Sequence, residues 1–285
     1  MINKTEIERT NSLSEATEKI FGVYPYERVC FFPGETMSGE IAQEYDTLGK
    51  KFRQETYRKI ARDFRVRTKC YSSNHEGRSW PNVGTIVEVG CGSGLLSIAL
   101  AEETNGSILG IDISEDMLNL AKENLKGKDD LVKKIKFRRG SVYDLQTLVH
   151  DIKDINYIVC RNVLHRLKDP SNAIVQMYSV LNSKGKMYIR DLRRDANWET
   201  IKKRIGEQRW KNPELVKDYI GAMAQTLTLK EFVKLFEMNQ IPFDNIWAGQ
   251  EARYLLEKNS PRSNSQEEIK EFEEEMDFVC VVSKE

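Results

Sequence analysis

One stretch, Glu88-Val89-Gly90-Cys91-Gly92-Ser93-Gly94, limits what this chain can fold into more than any other. Before it runs Val83-Gly84-Thr85-Ile86-Val87, short and rich in apolar, β-branched side chains. After it, Leu95-Leu96-Ser97-Ile98-Ala99-Leu100-Ala101 begins an apolar helical pattern. The succession predicts a strand, a glycine turn and a helix: the opening of an α/β unit whose turn carries a ligand. Without Cβ atoms, such a turn bends sharply and lets a bound molecule approach the backbone. The spacing separates ligands. A dinucleotide turn reads G-x-G-x-x-G/A and needs Gly or Ala at 95, where Leu95 stands. A phosphate-binding P-loop ends in Gly-Lys-Ser/Thr, which is absent. What remains is acid-x-G-x-G-x-G, with Glu88 closing the strand.

From 83 onward, strand and helix patterns alternate, which predicts a mostly parallel sheet covered on both faces. Ser107–Asp112 reads as the second strand, with Ser114 as the N-cap of the helix that contains Asp116 and Met117. Ile135–Arg138, Ile155–Cys160 and Lys186–Arg190 read as the third, fourth and fifth strands, with a helix over about 170–181 before the fifth. The pattern then changes. Residues 196–240 predict two or three helices, including 198–210 and 228–239, and two last strands fall near 246–256 and 276–282. An acidic polar segment, 259–275, separates those strands.

Two carboxylates carry chemistry by position. Asp112, at the end of the second strand, is placed to accept both hydroxyls of a ribose, as a similarly placed acid does in dinucleotide folds. Asp144 follows the third strand, in Gly140-Ser141-Val142-Tyr143-Asp144. Helix capping is the competing reading for both.

The acid-x-G-x-G-x-G turn with these two acids resembles the class I S-adenosylmethionine (SAM) methyltransferases of small-molecule type. The resemblance covers residues 83–195 and, more loosely, 228–285. It implies a seven-stranded, doubly wound sheet in the order 3-2-1-4-5-7-6, parallel except for the last strand. It also implies a cofactor shell of Glu88, Gly90, Gly92, Gly94, Asp112, Ile113, Met117, Val142 and Asp144, with Asp144 receiving the adenine amine. Arg161-Asn162-Val163-Leu164-His165-Arg166 is similar to the family's segment after strand four. There Arg161 and Asn162 border the methionine part of the cofactor and His165 faces the acceptor. Arg166 replaces the second histidine of the family's run, which removes any mechanism needing a pair. Ala42-Gln43-Glu44-Tyr45-Asp46 is similar to a segment whose tyrosine closes over the cofactor, which adds Tyr45 to the shell.

The implied reaction is in-line displacement of a sulfonium methyl, in which positioning and exclusion of water supply much of the acceleration. A base is needed only where the acceptor is protonated. His165 is the candidate because a reference imidazole titrates near neutrality; a wall or hydrogen-bonding role is its alternative. Arg193 and Arg194, in Asp191-Leu192-Arg193-Arg194-Asp195, are expected on the rim where open α/β sheets bind ligands. There they either grip an anionic acceptor or pair with Asp191 and Asp195.

Around this domain, residues 1–80 are expected to form an N-terminal helical arm or lid. Within it lie a helical stretch from about 41 to 64 and the aromatic clusters containing Tyr24 and Tyr26. Residues 81–285 form the SAM-binding domain, with a helical insertion at 196–240. The arm and the insertion would cover the strand ends and enclose a small-molecule acceptor. Residues 50–69 hold nine basic side chains against two acids. They predict a solvated helix face, or else a surface for an anionic substrate or RNA. RNA or protein methylation, and a non-catalytic SAM-binding regulator, are thus the rival functions. Against the first stand the absence of an Asn-Pro-Pro-Tyr-type motif and of an RNA-binding module. The 44 basic and 44 acidic side chains cancel, so no global field draws the chain to nucleic acid or membrane. No run approaches the about 20 apolar residues of a membrane span, and the first residues lack a signal peptide's apolar centre. Five scattered cysteines have no metal-ligand spacing and suit a reducing cytoplasm.

Overall fold

The computed structural model describes residues 37–70, 83–104, 106–196, 213–247 and 277–285. Among them, seven strands form one sheet in the order β3-β2-β1-β4-β5-β7-β6. These are β1 (Thr85–Val89), β2 (Ser107–Asp112), β3 (Ile135–Arg139), β4 (Ile155–Arg161), β5 (Lys186–Leu192), β6 (Asn245–Trp247) and β7 (Asp277–Ser283). β1 pairs in parallel with β2 and β4, β2 with β3, and β4 with β5, while β7 runs antiparallel to both β5 and β6. The expected strand order and the single reversed strand are both present.

Alternate residues of each central strand face opposite cores, as a sheet covered on both sides requires. Val87, Leu109, Ile158 and Met187 enter one core, with Ala173, Met177, Phe232 and Phe236 of the helices beneath. Ile86, Ile108, Val159 and Tyr188 enter the other, with Ile60, Phe64, Leu96 and Leu100 above. Helix α3 (Leu95–Thr104) lies inside this second layer and buries residues all round, so it carries no polar stripe.

The helical stretch expected over 41–64 is two helices, α1 (Gly39–Phe52) and α2 (Gln54–Thr68), broken at Arg53. Neither proline nor glycine marks that break. It lets α1 run over the strand ends while α2 turns onto the sheet face beside α3. Phe64 of α2 meets Tyr157 and Tyr188 edge-on, with ring centroids 5.6 and 5.7 Å away, and the Tyr188 hydroxyl donates to Asp63 at 2.7 Å. This part of the expected cover is therefore an outer layer of the core. Its basic run is divided: Arg65 pairs with Glu103, Arg67 pairs with Asp63 and stacks over Trp247, and Arg58 and Arg62 stay exposed.

Among the described residues, six further helices, two of them short turns, complete the frame near the site. The first is α4 (Glu115–Leu125), which Ser114 caps by accepting from the Met117 N–H at 3.2 Å. Short turns α5 (Asp129–Val132) and α6 (Leu145–Leu148) precede α7 (Pro170–Val180). Pro170 starts α7, and Asp169 caps it. Next come α8 (Pro213–Gln225) and α9 (Leu229–Met238), the latter opened by a capping box between Thr228 and Glu231. The expected helix at 198–210, the tyrosines at 24 and 26, and the acidic segment 259–275 lie outside the described residues. None of the helices among those residues is long and apolar enough to cross a membrane.

Candidate active site

A cavity opens at the C-terminal ends of β1, β2 and β4, where open α/β sheets bind ligands. The glycine turn forms its floor. Gly92 has φ +54°, and a Cβ built there would meet nothing within 4 Å, so the turn leaves room for a ligand against the backbone. Gly94, with φ +74°, has a different reason: its missing Cβ would stand 2.7 Å from the Phe137 ring and 2.9 Å from Ala121. It keeps α3, α4 and β3 close and does not itself line the cavity.

Asp112 braces the turn. One carboxylate oxygen accepts the Gly92 N–H at 2.8 Å and the other the Ser114 N–H at 2.9 Å. Each oxygen keeps a further lone pair for a ligand hydroxyl. Burial raises this carboxyl above its ordinary pKa, against the pull of those backbone N–H groups. Glu88 is buried more completely, and desolvation pushes its carboxyl up to about 8 although the Ser97 hydroxyl donates to it and Arg161 lies near. It is largely protonated at neutral pH.

Across the cavity, the short turn Leu164–Arg166 carries His165. Its Nδ1 lies 2.5 Å from Asp191 Oδ1, and its backbone N–H donates to Asp191 Oδ2 at 3.2 Å. Both side chains are 3 % exposed. A carboxylate accepts and cannot donate, so the neutral imidazole keeps its proton on Nδ1 and presents a lone pair at Nε2. The next residue, Arg166, grips Asp218 of α8 with both terminal nitrogens, at 3.0 and 2.6 Å. That pair ties α8, which supplies Tyr219 and Ala222 to the wall, down onto the His165 turn.

On the α1–α2 side stand Tyr45, Tyr57 and Arg53. Tyr45 and Tyr57 stand close enough to perturb one another. Burial would raise the Tyr45 phenol, but the guanidinium groups of Arg53, Arg161 and Arg166 bring it below its ordinary value. Burial and the neighbouring Tyr45 push Tyr57 up to about 12. Asn162 holds φ +55°, a conformation asparagine tolerates better than most residues, and leaves its side-chain oxygen buried without a partner. Arg161 Nε is likewise buried and without a partner.

Of the shell expected from sequence, Tyr45, Glu88, Gly90, Gly92, Asp112, Ile113, Met117, Val142, Arg161 and Asn162 line this one cavity, together with His165. Four expected site residues stand off this wall, Gly94 among them. Asp144 is exposed and off the wall, because the tight turn Val142–Asp144 carries it outward while Ser141 and Val142 face in. Arg193 does not reach the cavity: it pairs with Asp195 at 2.7 Å. Arg194 does not either, since its guanidinium is held by Glu231 and by the Thr226 carbonyl, the latter at 2.8 Å. Arg53, Tyr57, Ser141, Arg166 and Tyr219 join the wall unforeseen, and Asp191 stands behind it. The Asp191 spacing held no signal for a histidine 26 residues earlier.

Residues 83–275 match the family model described as a methyltransferase domain. The chain belongs to this methyltransferase family. Among solved structures, it resembles a candidate S-adenosyl-L-methionine-dependent methyltransferase from Methanococcus maripaludis, at 20% identity over 87% of this chain and 96% of that one, TM-score 0.58. It also resembles the plantazolicin methyltransferase BpumL, at 17% identity over 85% of this chain and 89% of that one, TM-score 0.58. A candidate O-methyltransferase from Nostoc punctiforme PCC 73102 aligns at 17% identity over 87% of this chain and 62% of that one, TM-score 0.51. At these identities the likeness is one of fold. No curated protein sequence matches the chain.

Proposed function

We propose that this enzyme transfers a methyl group from S-adenosyl-L-methionine to a nucleophilic atom of a small molecule, with His165 as the base. The observation that carries the reading is one cavity bounded on one side by the Asp112-braced glycine turn and on the other by the His165–Asp191 pair. The donor supplies an electrophilic methyl on a sulfonium centre. Gly90, Gly92, Asp112, Ile113, Met117, Val142 and Asn162 would hold it. The open space over Gly92, the spare lone pairs of Asp112 and the unpartnered Asn162 oxygen fit a nucleoside joined to an amino acid. BpumL was crystallised with SAH, the demethylated cofactor, and with a desmethylPZN analog, which supports both the donor and a small or peptidic acceptor.

The chain's own residues then have separate tasks. Asp191 holds the imidazole so that Nε2 accepts the acceptor's proton, and Arg166–Asp218 keeps the α8 wall closed against water. In this reading α1 belongs to the arm over the site, and α8 belongs to the insertion that encloses the acceptor. Tyr45 and Tyr219 on the cavity wall support that division.

The test is titration calorimetry with SAM and SAH, then incubation of labelled SAM with fractionated small-molecule extract. Mass spectrometry should find a compound that gains one CH2. Tight SAH binding with no acceptor in any fraction would instead favour a cofactor-binding regulator.

A further inference from the structure

We propose that Arg161 is the subsite for a carboxylate on the acceptor, so that this methyltransferase acts on small organic acids. The inference rests on the methyl-transfer reading above and assigns its substrate class. Arg161 ends β4, lines the cavity, and has a buried Nε with no hydrogen-bond partner. An unpaired guanidinium nitrogen out of water is costly, and a carboxylate is its best geometric match.

The groups around it do not satisfy it. Its guanidinium lies 5.4 Å from the centre of the Tyr57 ring, an attraction that leaves the Nε–H without a hydrogen-bond partner. Asp277 is within electrostatic reach, but Arg190 holds that carboxylate at 2.8 Å. Glu88 is also near, and burial keeps it largely protonated at neutral pH. Arg166 has its own carboxylate in Asp218. A cofactor with sulfonium, ammonium and carboxylate groups adds a net positive charge, so an anionic acceptor relieves the site.

Position favours the acceptor as the source of that carboxylate. The glycine turn and Asp112 belong to β1 and β2. Arg161 sits beyond them on β4, in register with Arg190 of β5, and under the α2 residue Tyr57. Tyr45 lines the same cavity beside Tyr57. An acid anchored there would lie between Arg161 and the imidazole four residues along the chain.

The experiment is titration calorimetry of benzoate, with benzamide as its neutral counterpart, into protein saturated with SAH. We expect benzoate to bind at least tenfold more tightly than benzamide. Arg161→Gln should reduce that preference below threefold, Arg161→Lys should keep part of it, and SAH affinity should stay within threefold in both variants. Circular dichroism checks that each variant folds, and Arg161→Lys carries the test if Arg161→Gln does not. Equal binding of benzoate and benzamide by the parent overturns the proposal. So does a tenfold loss of SAH affinity in Arg161→Gln with the benzoate preference intact, which would give Arg161 to the cofactor's carboxylate. Failure of the parent to bind SAH sinks the methyl-transfer reading instead; benzoate against benzamide in the unliganded protein then still decides the Arg161 subsite.

Discussion

The strand ends on the two sides of the cavity are built differently. At β1 and β2, the functional carboxylate is fixed by backbone: Asp112 accepts N–H groups from Gly92 and Ser114. At β4 and β5, side chains fix one another: His165 with Asp191, Arg166 with Asp218, and Arg194 with Glu231. The first arrangement is set by local spacing and makes a rigid cradle. The second joins residues distant in sequence, and each pairing decides whether a charged group serves the ligand or the frame.

The largest effect should come from the side-chain half. His165→Gln removes the base but fills similar space, and kcat should fall about 100-fold or more, the usual share of general base catalysis. SAM affinity should stay near the parent value, because nothing on the β1–β2 side is touched. Asp191→Asn should lower kcat by a similar order: its amide no longer fixes the Nδ1 proton as the carboxylate does. Rapid-quench turnover beside equilibrium SAH binding reads both. A matching loss of SAH affinity would move His165 into the cofactor shell.

Next is the backbone-anchored half. Asp112→Ala removes the acceptor of two turn N–H groups and the expected partner of two hydroxyls. Charge-assisted hydrogen bonds contribute about 1.5–3 kcal/mol each, so SAM affinity should drop at least about tenfold. Calorimetry giving parent-like SAM affinity would remove Asp112 from the ribose site.

How much of this could be read from the chain alone follows the same division. The glycine turn and the Ser114 cap depend on neighbours a few residues away, so spacing revealed them; the strand order joins distant segments and came only with the family resemblance. Asp144 stands exposed and off the wall although its offset looked suitable, because one tight turn at 142–144 carries it outward. Arg193 and Arg194 were equally legible as ligand grips or as ion pairs. Glu231, 37 residues later, decided the matter for Arg194, and no local pattern announces such a partner. Arg53 and Tyr57 were hidden in a run that resembled a plain basic helix. Only the break at Arg53, which nothing in the sequence marks, turns them toward the site.

Glu88 offers a medium-sized test of the buried cradle through pH. Its folded-state pKa of about 8 lies above the ordinary 4.5. Between those values the unfolded chain releases a proton that the native state keeps. Stability is therefore fully present below the lower value and falls as pH rises toward the upper one, by at most about 1.4 kcal/mol per pH unit. Glu88→Gln cannot ionise, and its amide oxygen still accepts from Ser97. The Tm difference between variant and parent should widen in the variant's favour from pH 5 to pH 8. A constant difference across that range would mean Glu88 ionises normally.

A smaller effect separates frame from site on the rim. Arg194→Gln breaks the pair with Glu231, whose side chain is 40% exposed, so water compensates part of the loss. Stability should fall by about 1–3 kcal/mol, seen as a lowered Tm, with KM for the acceptor almost unchanged. A raised KM at parent-like Tm would return Arg194 to the acceptor site.

The smallest expected effect belongs to Asp144. It is exposed, it makes no side-chain cap on α6, and it stands off the cavity wall. A carboxylate in that setting exchanges one water-filled surrounding for another when the cofactor binds. Asp144→Ala should therefore change SAM affinity by less than about twofold and Tm hardly at all, within the ordinary scatter of surface substitutions. Ser141→Ala is the sharper partner experiment, because Ser141 lines the cavity and its hydroxyl accepts the Tyr143 N–H at 3.2 Å, which shapes the turn that carries Asp144 outward. If calorimetry finds Asp144→Ala weakening SAM more than Ser141→Ala, the turn at 142–144 must rearrange when the cofactor enters. The third strand's acid would then belong to the adenine after all.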